Sequence, residues 1–245
     1  MSYILKQCSC MCFYNSMSKK AKELAARYGR NLSIVEIAEK ILKEQEQYRV
    51  NAFSFPECPI VTTEQELQSF RWGLIPFWTK DEKHADEIKR MTLNARADTI
   101  FSKPSFREPI RSKRCIVPST GYFEWRHEGT EKIPYYIYVK DEPIFSMAGI
   151  YDSWLDKSTG EVISTFSIIT TEANPLTNYI HNTKHRMPAI LSREDEEMWL
   201  DPKLGKSDIE QLLIPFSADR MDAYVINNDF LKKPADDPTI LNKAS

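Results

Sequence analysis

The sequence predicts an α+β domain, a curved antiparallel sheet with a barrel-like core and helices packed outside it. Three observations predict this. Short β-branched and aromatic runs separated by turn residues fill the second half of the chain. Amphipathic helical stripes are confined to the region near the N-terminus and to short polar stretches later on. No βαβ alternation and no glycine-rich phosphate loop occur, and seven glycines in 245 residues argue against a dinucleotide fold.

The elements follow in order. Ser18 is placed to cap a helix whose Ala21, Leu24, Ala25 and Tyr28 share a face and which Gly29 ends. Ser33 and Glu36 have capping-box spacing, and Ile34, Ile37, Ala38, Ile41 and Leu42 form an apolar stripe behind them. The segments IPYYIYVK, PIFSMAGIYDSW, EVISTFSIITT and DAYVIN read as strands, with KSTGE as a hairpin loop. Ser192 and Ser207 are placed to cap two short helices. The tail after Phe230, with two prolines and few apolar residues, is expected to run extended along the surface.

Length sets the expectation of one domain over residues 12–245, with residues 1–11 an N-terminal extension or a misassigned start. No apolar run approaches the ~18–20 residues that span a bilayer, and the first dozen residues lack the features of a secretory signal. Five cysteines, odd in number and unevenly placed, suit a reducing compartment, so the expected location is cytoplasmic. Net charge is −2, but it is unevenly spread. Between Lys89 and Arg114 eight basic residues face two acidic ones, whereas between Arg193 and Glu210 seven acidic residues face three basic ones. A near-neutral total can therefore hide a basic face, although solvated surface charge reads the same way.

Four stretches join polar or reactive residues to rigid apolar flanks: RWGLIPFW (71–78), TLNARADT (92–99), RCIVPSTGYFEW (114–125) and YIHNTKHRMPAIL (179–191). Glu124 lies between Phe123 and Trp125. A carboxylate enclosed by aromatic rings holds its proton to higher pH and can act as a general acid. The competing reading is an exposed glutamate on the polar side of a strand. Asn94 and Arg96, two apart, would share one face of a strand, an arrangement suited to orienting a polar substrate and holding a phosphate. Alternatively, Arg96 pairs with Asp98. His181 and His185 have the helical spacing of a zinc pair, but the intervening Asn-Thr-Lys disfavours helix and no HExxH glutamate is present. Cys8, Cys10 and Cys12 lack a second cysteine pair. No metal and no cofactor is expected.

Taken together, Met11-Cys12, Trp72-Gly73-Leu74-Ile75-Pro76, Asn94-Ala95-Arg96, the run from Arg114 to Trp125 and the run from His181 to Pro188 resemble the SOS response-associated peptidase (SRAP) family. The resemblance runs from about residue 11 to the end. It implies a protein that shields abasic sites in single-stranded DNA through a cysteine made N-terminal by removal of the initiator methionine. Carried over motif by motif, Cys12 would be the nucleophile, Asn94 would position its amine, Glu124 would be the acid–base residue and His181 would assist proton transfer. Arg96, Arg107, Arg111, Arg114 and Arg186 would hold phosphates, and Trp72 would stack on or wedge between bases, with ordinary core packing as its alternative. Two departures stand out. His181 lies five residues before Arg186, where the family usually has its histidine two before, and His185 is adjacent. Phe13-Tyr14 stand where members often have Gly-Arg. Two other functions stay open, a cysteine peptidase acting on other proteins through Cys12 and His181, and a noncovalent binder of modified or single-stranded nucleic acid.

Overall fold

A computed structural model describes residues 13–32 and 46–244. Cys8, Cys10, Met11 and Cys12, and the expected helix behind Ser33, lie outside the described residues.

Two sheets carry the architecture. In the first, β1 (Tyr14–Met17), β2 (Gln47–Asn51), β7 (Gly121–Glu128), β8 (Glu131–Val139) and β13 (Met221–Val225) lie in the order β13-β8-β7-β1-β2, all antiparallel. The second is built on the long hairpin of β9 (Phe145–Leu155) and β10 (Val162–Glu172). Strands β3 (Glu57–Ile60) and β4 (Gln68–Trp72) extend it beyond β10, which also pairs with β5 (Asn94–Arg96) and β11 (Arg186–Pro188). Strands β6 (Arg114–Ser119) and β12 (Ile190–Leu191) pair with β9. The α+β expectation holds, with two differences. The sheets do not close into a barrel, and β10 runs parallel to both β4 and β5.

The main core lies between the sheets. Tyr122, Ile137 and Val139 of the first meet Ile116, Ala148, Phe166 and Ile168 of the second. The outer face of the first sheet holds a second cluster of Phe123, Tyr136, Ile226, Phe230 and Ile240. Both faces of β7 are therefore covered. The C-terminal tail supplies the outer cover through two 3-10 turns, Asn228–Lys232 and Pro238–Leu241, rather than running extended throughout.

The first helix is Ala21–Tyr28 with Gly29 in the left-handed conformation behind it, as the stripe predicted. Its cap differs. Glu23 accepts a hydrogen bond from the Lys20 amide at 3.2 Å, while Ser18 turns away to bond Thr120 Oγ1 through both its amide and its hydroxyl. A helix over Glu82–Met91, capped by Asp81 accepting from the His84 amide, links β4 to β5. In the later helices Ser192 bonds Asp195 just ahead of Glu196–Leu200, and Ser207 sits inside Lys206–Leu212. Cys58 and Cys115 are buried, and burial pushes the Cys115 thiol far above its ordinary range.

Candidate functional site

Strand periodicity decides the surroundings of Glu124. Successive side chains of β7 alternate between faces. Phe123 and Trp125 join the outer cluster, while Tyr122 enters the core between the sheets. Glu124 therefore lies on the inter-sheet side, with its aromatic neighbours across the strand, and it is only 5% exposed. It is neither ringed by Phe123 and Trp125 nor exposed on a polar face. Gly121 starts the strand because a Cβ there would overlap the Tyr136 ring, whose hydroxyl donates to the Thr120 carbonyl at 2.7 Å.

The segment carrying His181 is tied to this strand. Asn174 caps the short helix Pro175–Ile180 by accepting from the Thr177 amide at 2.9 Å. His181 ends it. The next residue, Asn182, accepts from the His127 amide at 3.0 Å and donates to the His127 carbonyl at 2.8 Å. Arg126 donates to the Tyr179 carbonyl and lies 3.9 Å from that residue's ring centre. Tyr122 and Thr177 hydroxyls are 3.5 Å apart. These ties hold the helix end against β7 and leave His181 Nδ1 3.7 Å from Glu124 Oε2 and 3.4 Å from the Arg186 carbonyl.

His181 is buried, and burial is the main cause that lowers its imidazole to about 4. Nearby His127, His185 and Lys184 push the same way, against the Arg186 carbonyl. The ring is thus neutral at pH 7. Both neighbours of Nδ1 are oxygen acceptors, so Nδ1 carries the proton and Nε2 offers a lone pair. His185, four residues on, is exposed with φ +57, and its Nδ1 lies 2.6 Å from Asn178 Oδ1. The two histidines do not converge.

Strands β5 and β11 bring the polar residues alongside β10. Asn94 is buried opposite Ile168, and Arg96 is exposed opposite Thr170. Arg96 makes a bidentate pair with Asp98 at 3.0 and 2.5 Å. Arg186, mostly buried, donates to the Thr170 carbonyl at 2.6 Å, and its Nη1 is 4.0 Å from the same Asp98. Asp98 thereby joins two guanidinium groups at one edge. Its carboxyl lies below the usual range, chiefly through the Arg96 hydrogen bond.

Cys12 lies outside the described residues, but the chain just after it does not. Strand β1 runs antiparallel to β7 with Asn15 opposite Tyr122 and Ser16 opposite Gly121. The paired residues end at Asn15; the same count carried two residues further would bring Phe13 level with Glu124. The Tyr14 ring, 5.5 Å from Trp125, agrees with that register.

Two expected DNA contacts need correction. Trp72 is 1% exposed, its indole NH donates to the Leu93 carbonyl at 2.7 Å, and its ring stacks on Phe166, so it offers no face to a base. Arg114 is 3% exposed and spends its guanidinium on the carbonyls of Ile110, Arg111, Trp199 and Asp201. It closes the helix Pro109–Ser112 and a later turn, and no donor is turned to a phosphate. Arg107 and Arg111 are exposed.

The exposed tryptophan of that sequence block is Trp78, 40% exposed beside Phe77 at 58%. The loop that presents them is fixed from beneath. The Ile75 amide donates to Thr165 Oγ1 at 2.7 Å, the Phe77 amide to Asp152 at 2.9 Å, and the Trp154 indole to the Thr79 carbonyl at 2.8 Å. The signal in the sequence is Gly73 and Pro76 between the two tryptophans: β4 ends at Trp72, Gly73 turns the chain with φ +113, and Trp78 lies in the loop beyond.

Residues 11–232 match the family described as SOS response associated peptidase (SRAP). The chain is 43% identical over 164 residues to the abasic site processing protein YoaM of Bacillus subtilis, covering 66% of this chain and 69% of that one. It is 37% identical over 160 residues to the abasic site processing protein HMCES of Gallus gallus, covering 57% and 46% respectively. A crystal structure of a protein from Bacteroides thetaiotaomicron superposes with a TM-score of 0.92 at 69% identity, over 96% of this chain and 100% of that one.

Proposed function

We propose, from the premise that this chain belongs to the SRAP family, that it senses and shields abasic sites in single-stranded DNA by forming a covalent crosslink through Cys12 as N-terminal residue. The observation that supports the proposal is the pairing of β1 with β7, which begins at Asn15, three residues after Cys12, on the strand that carries Glu124 beside His181.

The chemistry needs an amine and a thiol on one residue. A ring-opened abasic sugar presents an aldehyde at C1′. The free α-amine of Cys12 adds to it and loses water to give an imine. The thiol then adds to the same carbon, its proton passing to nitrogen, and closes a thiazolidine. One water is lost overall. Serine lacks the sulfur, and an internal cysteine lacks the amine. An α-amine with its ordinary pKa near ~7.7–8 is partly neutral at cellular pH. In this scheme Glu124 moves a proton between the C1′ hydroxyl and the ring oxygen as the sugar opens. Neutral His181 accepts a proton at Nε2 as amine and thiol add, and Asn94 orients the amine.

The scheme requires that the working chain start at Cys12, by initiation at Met11 followed by methionine removal or by cleavage of the preceding residues. Arg96 and Arg186 hold a flanking phosphate at the Asp98 edge, with Arg107 and Arg111 extending the contact. Phe77 and Trp78 take the stacking role first given to Trp72. Each phosphate contact to a single strand contributes about −0.7 to the slope of log affinity against log salt.

The test is incubation with a single-stranded abasic oligonucleotide followed by a denaturing gel. A heat-stable band that Cys12→Ala abolishes, while salt-sensitive binding persists, supports the proposal. A band that persists in Cys12→Ala counts against it. Cleavage of unrelated peptides without any DNA adduct would support a peptidase instead.

A further inference from the structure

Beside the Asp98 edge opens a cavity of about 450 Å³, bounded by Asp98, Phe101, Ser102, Lys206, Glu210 and Leu213. We propose that it is a subsite for the base of the nucleotide flanking the abasic site, and that it prefers bases bearing an exocyclic amino group. The proposal rests on the DNA reading above and names a specificity element within it.

Continuity places the cavity next to the flanking nucleotide. Glu124 meets His181, His181 meets the Arg186 carbonyl, and the Arg186 guanidinium meets Asp98. The outward side of Asp98 is the cavity wall. A strand whose phosphate lies on Arg96 and Arg186 therefore has this hollow within reach of its adjoining base.

The lining suits a base and not a phosphate. Half-buried Phe101 and buried Leu213 give an apolar floor. The rim carries two carboxylates, each already paired, Asp98 with Arg96 and Glu210 with Lys206 at 3.6 Å. A second phosphate would meet those carboxylates at close range, with Lys206 the one cation among these lining residues and already paired with Glu210. The polar rim atoms are mainly acceptors. Asp98 and Glu210 accept only, and Ser102 donates its proton to the Thr99 carbonyl at 2.9 Å, leaving lone pairs outward. Besides Ser102, Lys206, 5.2 Å from the Phe101 ring centre, is the one side-chain donor among these lining residues. Acceptors of this kind match the NH2 of adenine, cytosine or guanine, which thymine lacks.

The test uses abasic oligonucleotides in which each neighbour in turn is adenine, cytosine, guanine, thymine or a baseless spacer. Crosslinking rate is read at sub-saturating DNA. Affinity is read by anisotropy with a tetrahydrofuran analogue that cannot crosslink. At one flanking position amino-bearing bases should exceed thymine by about tenfold in both readouts, the size of one hydrogen bond to a charged acceptor, and every base should exceed the spacer through its contact with Phe101. Phe101→Ala should shrink the advantage of every base over the spacer, and Glu210→Ala the advantage of amino-bearing bases over thymine, each leaving values on the spacer oligonucleotide unchanged. Equal values for all bases at every position, or a preference that survives both variants, would overturn the subsite. Loss of crosslinking with every oligonucleotide would instead strike the covalent reading, and the anisotropy series would still judge the cavity.

Discussion

Nδ1 of His181 lies 3.7 Å from Oε2 of Glu124, between a strand and a helix end that are 57 residues apart in sequence and joined by the reciprocal bonds of Asn182 to His127. The contact is buried, and the imidazole is neutral at pH 7, so it is dipolar rather than ionic. Its consequences are measurable.

Stability should fall on acidification between the ordinary histidine pKa of 6.5 and about 4. In that window the unfolded chain takes up a proton at His181 that the folded chain refuses, so the folded state loses ground as pH drops. The slope contributed by one proton is at most about 1.4 kcal/mol per pH unit. Denaturant melts of His181→Gln against the parent should show that part of the slope removed, with the curves parallel above pH 7.

The two tryptophans should separate stability from binding. Trp72→Ala deletes a buried ring and the Leu93 hydrogen bond, at a cost of about 3–5 kcal/mol. Trp78→Ala should shift stability little and weaken single-stranded DNA binding by about 1–3 kcal/mol. Thermal melts and anisotropy on both variants check this. A stable Trp72→Ala protein with weakened DNA binding would restore Trp72 to the interface.

Arginines should separate in the same way. Arg114→Ala strands the buried carbonyls of Ile110 and Trp199, each lost bond costing about 1–3 kcal/mol, and removes the partner of the part-buried carbonyls of Arg111 and Asp201; lysine cannot reach them all. Arg111→Ala should leave the melt unchanged and reduce the salt dependence of binding by about one phosphate contact. Affinity at three salt concentrations distinguishes the two.

Gly121→Ala should overpack the start of β7 against Tyr136, at about 1–3 kcal/mol, and disturb the strand that carries Glu124. Crosslinking should slow along with the loss of stability. Adding Tyr136→Phe should recover little of either, because the ring carbons that overlap that Cβ remain and the hydrogen bond to the Thr120 carbonyl is lost.

Much of this was legible in the sequence because it is local. The four predicted strands form, and the first helix ends at Gly29, because period and cap act over a few residues. Glu124 stands out in the sequence, but its surroundings differ from what adjacency suggests. Sequence adjacency to Phe123 and Trp125 means opposite faces on a strand, and both faces of β7 turned out covered. Trp72 sits two residues after Phe70 on β4, an inward alternation that could have marked it as core, whereas Trp78 follows Pro76 in a loop. Arg114 opens a strand whose every residue is buried. The Asn182–His127 ties and the sharing of Asp98 by Arg96 and Arg186 depend on distant pairing, and no local pattern announces them.

The central claim is a free aminothiol at the head of the working chain. Intact-mass spectrometry of protein expressed from its native start, before and after reaction with an abasic oligonucleotide, tests it most directly. The account predicts a chain beginning at Cys12 and an adduct equal to protein plus oligonucleotide less one water. An adduct on a chain that still carries Met1, or none on a chain that begins at Cys12, would contradict it.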